Sequence, residues 1–237
     1  MSYGVKLKVW GDYASFNRPE MKVERVSYDV MTPSAARGIL EAIYWKPEMR
    51  WVIDKIHVLN PIRFTHVRRN EVSCKIPVKG ATGVNQAMAA GEGNLGITVE
   101  QHRQQRAAMI LKDVCYGIEA HIDILKAEEG NGKSEAKHLD IFNRRAAKGR
   151  YFHHPYLGCR EFPAFFELVD HFPDTHTAFP DEKDLGFMLH DMAFIPDNKG
   201  RIVEANQGRR LTAEPRFFRA VMKQGVIAVP PLESARA

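Results

Sequence analysis

The chain has few cysteines, and none is placed where a cysteine pair would hold zinc or form a disulfide framework. Its 237 residues contain three, Cys74, Cys115 and Cys159, and no Cys-x-x-Cys pair. Structural zinc sites and disulfide-rich folds rely on clustered or evenly numbered cysteines. The cysteines therefore predict neither a zinc site nor a disulfide framework, and we expect a reducing, cytoplasmic location. We predict no metal and no cofactor.

Long apolar runs are also missing. No stretch approaches the roughly 20 apolar residues of a membrane-spanning helix, and the first residues show no apolar signal core. We therefore predict no membrane partner. A P-loop and a serine nucleophile elbow are absent. A Gly-x-Gly-x-x-Gly occurs at 91–96, but no predicted strand leads into it, so a dinucleotide site is not predicted.

What the chain does have is a modest excess of positive charge, formally +5. Such an excess permits nucleic acid as a partner without requiring it. The clustering of the basic residues is more informative than their total. One cluster, of helix length, consists of Lys133, Lys137, Arg144, Arg145, Lys148 and Arg150. Taken alone, this cluster is also compatible with an ordinary solvated helix face.

Hydrophobic periodicity predicts an α+β fold. The predicted elements are strands at 5–10, 51–59, 107–125 and 159–169 and helices at 34–44 and 135–148. Thr32 and Pro33 are typical of a helix start, and Gly149 of a helix end. Residues 62–67 are counted as a continuation of the second strand. The predicted order is then strand, helix, strand, strand, helix, strand, which is that of a ferredoxin-like (RRM-like) βαββαβ domain.

The rest of the chain is predicted to add a loop and a second, smaller domain. Residues 70–101 are rich in Gly, Ala and Asn, which indicates a long loop or insertion. Short strand candidates follow at 185–195, 202–204 and 226–229. We predict a ferredoxin-like domain over residues 1–170, with a loop or insertion near 70–101, and a small C-terminal antiparallel β domain over residues 171–237.

The start of the second predicted helix is the candidate catalytic region. Ser134 is an N-cap candidate, and Lys137 and His138 follow where free backbone N–H groups favour an anion. His138 suits proton transfer near neutral pH, and Lys137 suits charge stabilisation on a phosphate. The pair is also compatible with two ordinary exposed residues of a first helical turn.

Tyr44 is the third candidate, at the end of the first predicted helix. Its hydroxyl could position an RNA 2′-OH or help to deprotonate it, which would require a lowered pKa that Lys137 nearby would supply. The sequence leaves open which group is acid and which is base. At a helix end, Tyr44 and Trp45 are usually hydrophobic closure of a core edge, with the tyrosine hydroxyl at the surface.

Five motifs occur in an order and spacing that resemble a known family. They are Gly11-Asp12-Tyr13-Ala14, Ala42-Ile43-Tyr44-Trp45-Lys46-Pro47, Leu111-Lys112-Asp113-Val114-Cys115-Tyr116, Glu135-Ala136-Lys137-His138 and Tyr156-Leu157-Gly158-Cys159-Arg160-Glu161-Phe162. Together they resemble the repeat-processing endoribonuclease of type I-C CRISPR systems, the d subtype of the fifth CRISPR-associated family. Where the family often has glycine before the lysine, this chain has Ala136.

The resemblance implies metal-independent cleavage of the CRISPR repeat hairpin in precursor RNA (pre-crRNA), giving a 2′,3′-cyclic phosphate and a 5′-hydroxyl. It implies Tyr44, Lys137 and His138 as catalytic residues and a lasting place in the interference complex (Cascade) with its other subunits; DNA binding is left open. The predicted RNA-binding residues are Lys46, Arg68, Arg69, Arg144, Arg145 and Lys148. The alternative is a non-catalytic subunit that binds the 5′ handle of the mature crRNA.

Overall fold

A computed structural model describes residues 4–21, 23–80, 83–91, 98–125, 135–173, 179, 181–203 and 210–236. The elements are β1 (Val5–Ala14), β2 (Arg25–Val26), α1 (Pro33–Ile43), β3 (Met49–Val58), β4 (Phe64–Val72), α2 (Val84–Ala90), α3 (Val99–His102), β5 (Arg103–Ile124), α4 (Glu135–Ala146), β6 (Phe165–Leu168), β7 (Lys183–Pro196), β8 (Ile202–Val203), β9 (Arg210–Lys223), β10 (Val226–Ala228) and a 3₁₀-helix (Leu232–Ser234).

The strands form one ten-stranded sheet with the order β6-β1-β5-β3-β10-β9-β7. Strands β2 and β4 pair with β5, and β8 pairs with β9. Within the described ranges the strand pairs are antiparallel, except for the parallel pair of β2 with β5. The protein is therefore a mixed α/β structure with a mostly antiparallel sheet and few helices.

The two long helices begin and end at the signals that the sequence contains. The Thr32 hydroxyl accepts a hydrogen bond from the Ala35 N–H, and Pro33 occupies the first turn of α1. After α4, Gly149 adopts a φ of 60° and its N–H donates to Ala146 O over 3.0 Å. These predictions are confirmed, whereas the proposed N-cap Ser134 lies outside the described residues.

Both helices bury an apolar face against the sheet. Ile39 and Leu40 of α1 and Phe142 of α4 are buried, and Trp51 of β3 meets Phe142 with ring centroids 4.7 Å apart. Removing a buried aromatic side chain of this kind costs about 3–5 kcal/mol of stability. The shared core thus fixes the end of α1 beside the start of α4, two regions far apart in the sequence.

Residues 70–101 contain more regular structure than the predicted loop. Strand β4 continues to Val72, and the helices α2 and α3 follow, while residues 81–82 and 92–97 are outside the described part. Strand β5 starts at Arg103, before the predicted position 107, and its first residues pair with the end of β4. These residues are polar and lie outside the core, so hydrophobic alternation could not reveal them.

The C-terminal strands continue the same sheet, because β10 pairs with β3. The strands predicted near 185–195, 202–204 and 226–229 correspond to β7, β8 and β10. Strand β9 was not predicted, since Pro215 and several arginines interrupt its apolar pattern. The domain boundary at residue 170 stays a prediction.

Among the described helices, none has the length and apolar character needed to span a bilayer.

Candidate active site

Tyr44 caps the C-terminus of α1 and is held by its backbone on both sides. Its N–H donates to Leu40 O over 2.9 Å, and its carbonyl accepts the indole N–H of Trp51 over 2.9 Å. The residue is only 3% exposed. Its ring therefore has a defined position at the boundary between the core and the surface.

His138, in the first turn of α4, meets Tyr44 directly. The distance from Tyr44 Oη to His138 Nδ1 is 2.9 Å, and the histidine is 2% exposed. The two ring centroids are 5.9 Å apart. His138 is thus not an ordinary exposed residue of a helix start. Lys137, beside it in the sequence, is exposed.

The pKa of Tyr44 is shifted upward, so the expected lowering is wrong. Burial is the main cause, because it disfavours the phenolate, and the nearby Glu48 carboxylate acts in the same direction. The Arg145 guanidinium opposes both. The net result is that Tyr44 keeps its proton at neutral pH and is not a ready base.

Tyr44 also lines a basic cleft of about 500 Å³. The other lining residues are Lys46, Ile141, Arg144, Arg145, Lys148 and Arg150, so five of the seven are cations. The guanidinium carbon of Arg145 lies 5.8 Å from the centroid of the Tyr44 ring. His138 does not line the cleft itself and is connected to it through the Tyr44 hydroxyl.

The cleft keeps its positive charge. Across the described ranges, none of its five cations forms an ion pair with a carboxylate. Unneutralised guanidinium and ammonium groups in a concave surface attract a polyanion and pair well with phosphate oxygens. The arrangement suits a nucleic-acid backbone that passes over Tyr44.

The predicted RNA-binding residues divide into two groups. Lys46, Arg144, Arg145 and Lys148 line the cleft, whereas Arg68 and Arg69 lie on β4 and do not. Arg69 is paired with Glu161, and its guanidinium carbon lies 5.5 Å from the Phe162 ring centroid. The RNA-binding role of all six stays a prediction.

Arg150 is a cleft residue that the prediction of site residues left out. Its N–H donates to Arg145 O over 2.9 Å, because the left-handed turn at Gly149 brings the chain back toward α4. Gly149, at the end of the helix, was the sequence signal from which this return of the chain could have been predicted.

In the described part of the chain, no group of three or more His, Cys, Asp or Glu residues could hold a metal ion.

The sheet, the buried Tyr–His pair and the adjoining cationic cleft define a class: an α/β protein with a site suited to a phosphate backbone. Comparison with known proteins identifies the group within that class. Residues 4–230 match the family model Cas5d, described as CRISPR-associated protein (Cas_Cas5). The chain belongs to the Cas5d family of CRISPR-associated proteins.

Two curated relatives agree with this assignment over nearly the whole chain. A protein of Mannheimia succiniciproducens named CRISPR pre-crRNA endoribonuclease Cas5d is 48% identical over 98% of this chain and 96% of its own length. A protein of the same name from Thermus thermophilus is 42% identical over 95% of this chain and 91% of its own length.

Solved structures share the fold at lower identity. A functionally uncharacterized protein from Streptococcus mutans superposes with a TM-score of 0.64 at 22% identity, over 99% of this chain and 95% of the other. A structure described as a CRISPR-associated protein gives a TM-score of 0.61 at 22% identity, with the same coverage of both chains.

Proposed function

We propose that this chain is a pre-crRNA endoribonuclease that cleaves CRISPR repeat RNA without a metal ion and then stays with the crRNA in the type I-C interference complex. Two relatives that carry the name CRISPR pre-crRNA endoribonuclease support the activity. The observation that carries the proposal is the 2.9 Å contact between Tyr44 Oη and His138 Nδ1 beside the cationic cleft.

The proposed reaction uses the RNA itself as nucleophile. The 2′-oxygen forms a bond to the adjacent phosphorus, the bond from phosphorus to the 5′-oxygen breaks, and the products are a 2′,3′-cyclic phosphate and a 5′-hydroxyl. The 2′-OH must lose a proton and the leaving oxygen must gain one, while charge on the non-bridging oxygens is stabilised.

The geometry supports distinct roles for the candidate catalytic residues. Tyr44, the member of the pair that lines the cleft, contacts the phosphodiester and donates its hydroxyl proton to the leaving 5′-oxygen, while the 2′-OH loses its proton to solvent water. His138 Nδ1 then returns a proton to the Tyr44 oxygen, and the imidazole regains that proton from solvent after the product leaves. Lys137, exposed at the helix start, contributes positive charge to the same phosphate. General acid–base catalysis of this kind contributes about 10²- to 10⁴-fold in rate.

The proposed division into a ferredoxin-like unit and a smaller C-terminal unit is based on the strand order. Antiparallel neighbours β6-β1-β5-β3, connected through α1 and α4, support a ferredoxin-like unit over residues 1–170. Strands β7, β9 and β10 would then form the smaller C-terminal β unit. The exposed Arg68 and the neighbouring Arg69 on β4 would extend the RNA path away from the cleft.

One observation favours the alternative of a non-catalytic subunit that binds the 5′ handle. The residues Tyr44 and His138 are 3% and 2% exposed, and His138 Nε2 is buried. RNA can reach that nitrogen only if neighbouring residues shift, whereas binding in the cleft needs no shift. In the proposed reaction, proton exchange through the Tyr44 hydroxyl removes this requirement.

A single assay separates the two functions. Purified protein is incubated with repeat RNA in EDTA, and the expected products carry a 2′,3′-cyclic phosphate and a 5′-hydroxyl. A matched RNA with a 2′-deoxy sugar 5′ of the cut should bind equally well and remain intact. RNA that is bound but never cut would establish the non-catalytic function, and cleavage of the 2′-deoxy RNA would refute attack by the 2′-OH.

A further inference from the structure

An unusual exposed aromatic run follows the basic cleft. Residues 151–154, Tyr-Phe-His-His, are all exposed and come directly after the cleft residue Arg150. Phe152 is 81% exposed, more than any other large hydrophobic side chain in the described part of the chain. An aromatic ring this open to water has its face available to a stacking partner.

The backbone holds this run against the candidate active site. The N–H groups of Phe152 and His153 both donate to Ala42 O, over 2.8 Å and 3.3 Å. Ala42 lies in the last turn of α1, immediately before the segment that leads to Tyr44. The buried Pro155 and the 2.8 Å contact of His154 Nδ1 with its carbonyl oxygen hold the end of the run. Phe152 is therefore presented from a segment whose backbone is held by hydrogen bonds, so that binding does not have to order the main chain.

The rings of the run support one another rather than the core. Phe152 and His153 have centroids 6.1 Å apart at an interplanar angle of 61°. Tyr151 lies 4.9 Å from His154, and His153 stacks toward Tyr156 at 6.5 Å. The result is a surface of neighbouring rings on which most of the Phe152 side chain remains available to a ligand.

We propose that Phe152, supported by His153, is a stacking platform for an unpaired RNA base next to the scissile phosphate. The proposal rests on the proposed function, because it assumes that the cleft holds the RNA backbone. Phe152 follows the cleft residue Arg150 by two positions, and its N–H is bonded to Ala42 O, two residues before Tyr44. A base next to a phosphate held at Arg150 would therefore lie on the side of the cleft where residue 152 is attached. Unstacked bases bind aromatic side chains through their faces, and this is how proteins commonly hold single-stranded RNA.

Charge favours an RNA base over a protein partner as the occupant. The platform directly follows Arg150 in the chain, and Arg150 lines a cleft whose five cations lack carboxylate partners among the described residues. A protein partner would have to neutralise those charges as well as cover the ring, whereas RNA supplies phosphate and base together. The platform would thus select an unpaired nucleotide at the cut and disfavour a continuous duplex.

The test uses a 2′-deoxy repeat RNA that cannot be cut, with 2-aminopurine at each of the two nucleotides that flank the cleavage position. One of these positions should lose fluorescence on binding to the wild type, because stacking quenches the probe. Phe152→Ala should retain the fluorescence and raise the Kd about 5- to 150-fold, and Phe152→Trp should restore the quenching. Phe194→Ala is the matched control, since Phe194 is also exposed but lies on β7.

Several outcomes would overturn the platform. Equal quenching and equal Kd for the wild type and Phe152→Ala would do so, with thermal melting showing that both are folded. Normal RNA binding by Phe152→Ala together with failure to join the other complex subunits would establish a protein contact instead. If the wild type quenches the probe but never cuts cleavable RNA, the proposed catalytic function fails while the platform stands.

Discussion

The basic cleft and the outer face of the sheet use positive charge in opposite ways. On the outer face, formed by the non-core residues of β1, β3, β5 and β6, cations meet carboxylates. The pairs are Lys8–Glu167 at 2.8 Å, Arg50–Asp123 at 3.0 Å and Lys55–Glu119 at 3.6 Å. In the cleft, the five lysines and arginines face one space and have no carboxylate partner within the described ranges.

The comparison distinguishes cations that are neutralised by carboxylates of the same sheet from cations that a ligand would have to neutralise. Exposed ion pairs contribute only about 0–1 kcal/mol each, and their main result here is a nearly neutral surface. The cations of the cleft repel one another unless an anion joins them. A protein with a net charge of +5 therefore has a concentrated positive site rather than a uniformly positive surface.

The largest expected effect concerns the chemistry at the cleft. We expect His138→Ala to reduce the single-turnover cleavage rate of repeat RNA by about 10²- to 10⁴-fold, because the Tyr44 proton loses its partner. RNA affinity should change little. Tyr44→Phe, which keeps the ring and removes the hydroxyl, should lose activity similarly.

The control histidine for this comparison is His121, which contacts Asp54 at 2.9 Å on the sheet surface. His121→Ala should cleave at the wild-type rate. Melting curves must show that the His138→Ala variant is folded, since this side chain is buried. Full activity of folded His138→Ala would remove His138 from the mechanism.

An intermediate effect is expected on RNA affinity. Arg144→Ala and Lys148→Ala should each weaken binding by about tenfold, the scale of one hydrogen bond to a charged group. The slope of log K against log salt should fall by about 0.7 for each single-strand phosphate that the variant no longer neutralises. Filter binding at several salt concentrations measures both quantities.

The matched variants on the outer face are Lys8→Ala and Lys55→Ala. These lysines already have carboxylate partners, so their removal should leave both the affinity and the salt slope almost unchanged. If the outer-face variants and the cleft variants lose equal RNA affinity, then RNA binding depends on net charge alone, and the distinction between the two surfaces is wrong.

The smallest expected effect is a pH dependence of stability on the outer face. Burial lowers the pKa of His57, while the adjacent Glu119 carboxylate, 2.8 Å from Nε2, opposes part of that shift. Because the unfolded chain then takes up a proton near pH 6.5 before the folded chain does, stability should decline as the pH falls below about 6.5. The Tm measured between pH 7 and pH 5 reports this decline.

His57→Gln should flatten that part of the Tm profile without changing RNA affinity. An unchanged slope in this variant would assign the pH dependence to other groups. A change in RNA affinity would contradict the separation of the outer face from the cleft.

Local signals predicted the capped helix ends and the strands with uninterrupted alternation well, and they missed strands whose apolar pattern is interrupted or absent. The Thr32–Pro33 start of α1 and the glycine after α4 are confirmed because capping depends on neighbours in the sequence. Strand β9 was missed although Phe218, Ala220 and Met222 alternate into the core, because Pro215 and several arginines interrupt that pattern. The polar first residues of β5 have no apolar alternation and are defined by their pairing with β4.

The candidate site shows the same division. Residue types and ordered motifs were sufficient to nominate Tyr44, Lys137 and His138 and the basic residues of α4. They could not predict the direction of the Tyr44 pKa shift, because burial is a property of the assembled core. Nor could they show that Arg69 has a carboxylate partner, Glu161, whereas Arg144 lines the cleft.

By itself, the sequence determined the helix ends, the alternation of the central strands, the net charge and the family. Only the tertiary structure decided that residues 44 and 138 share a hydrogen bond, that Arg150 returns to the cleft and that Phe152, two residues later, is exposed to solvent. The physical reason is separation along the chain. Contacts between distant segments depend on sheet pairing and core packing, which no local pattern encodes.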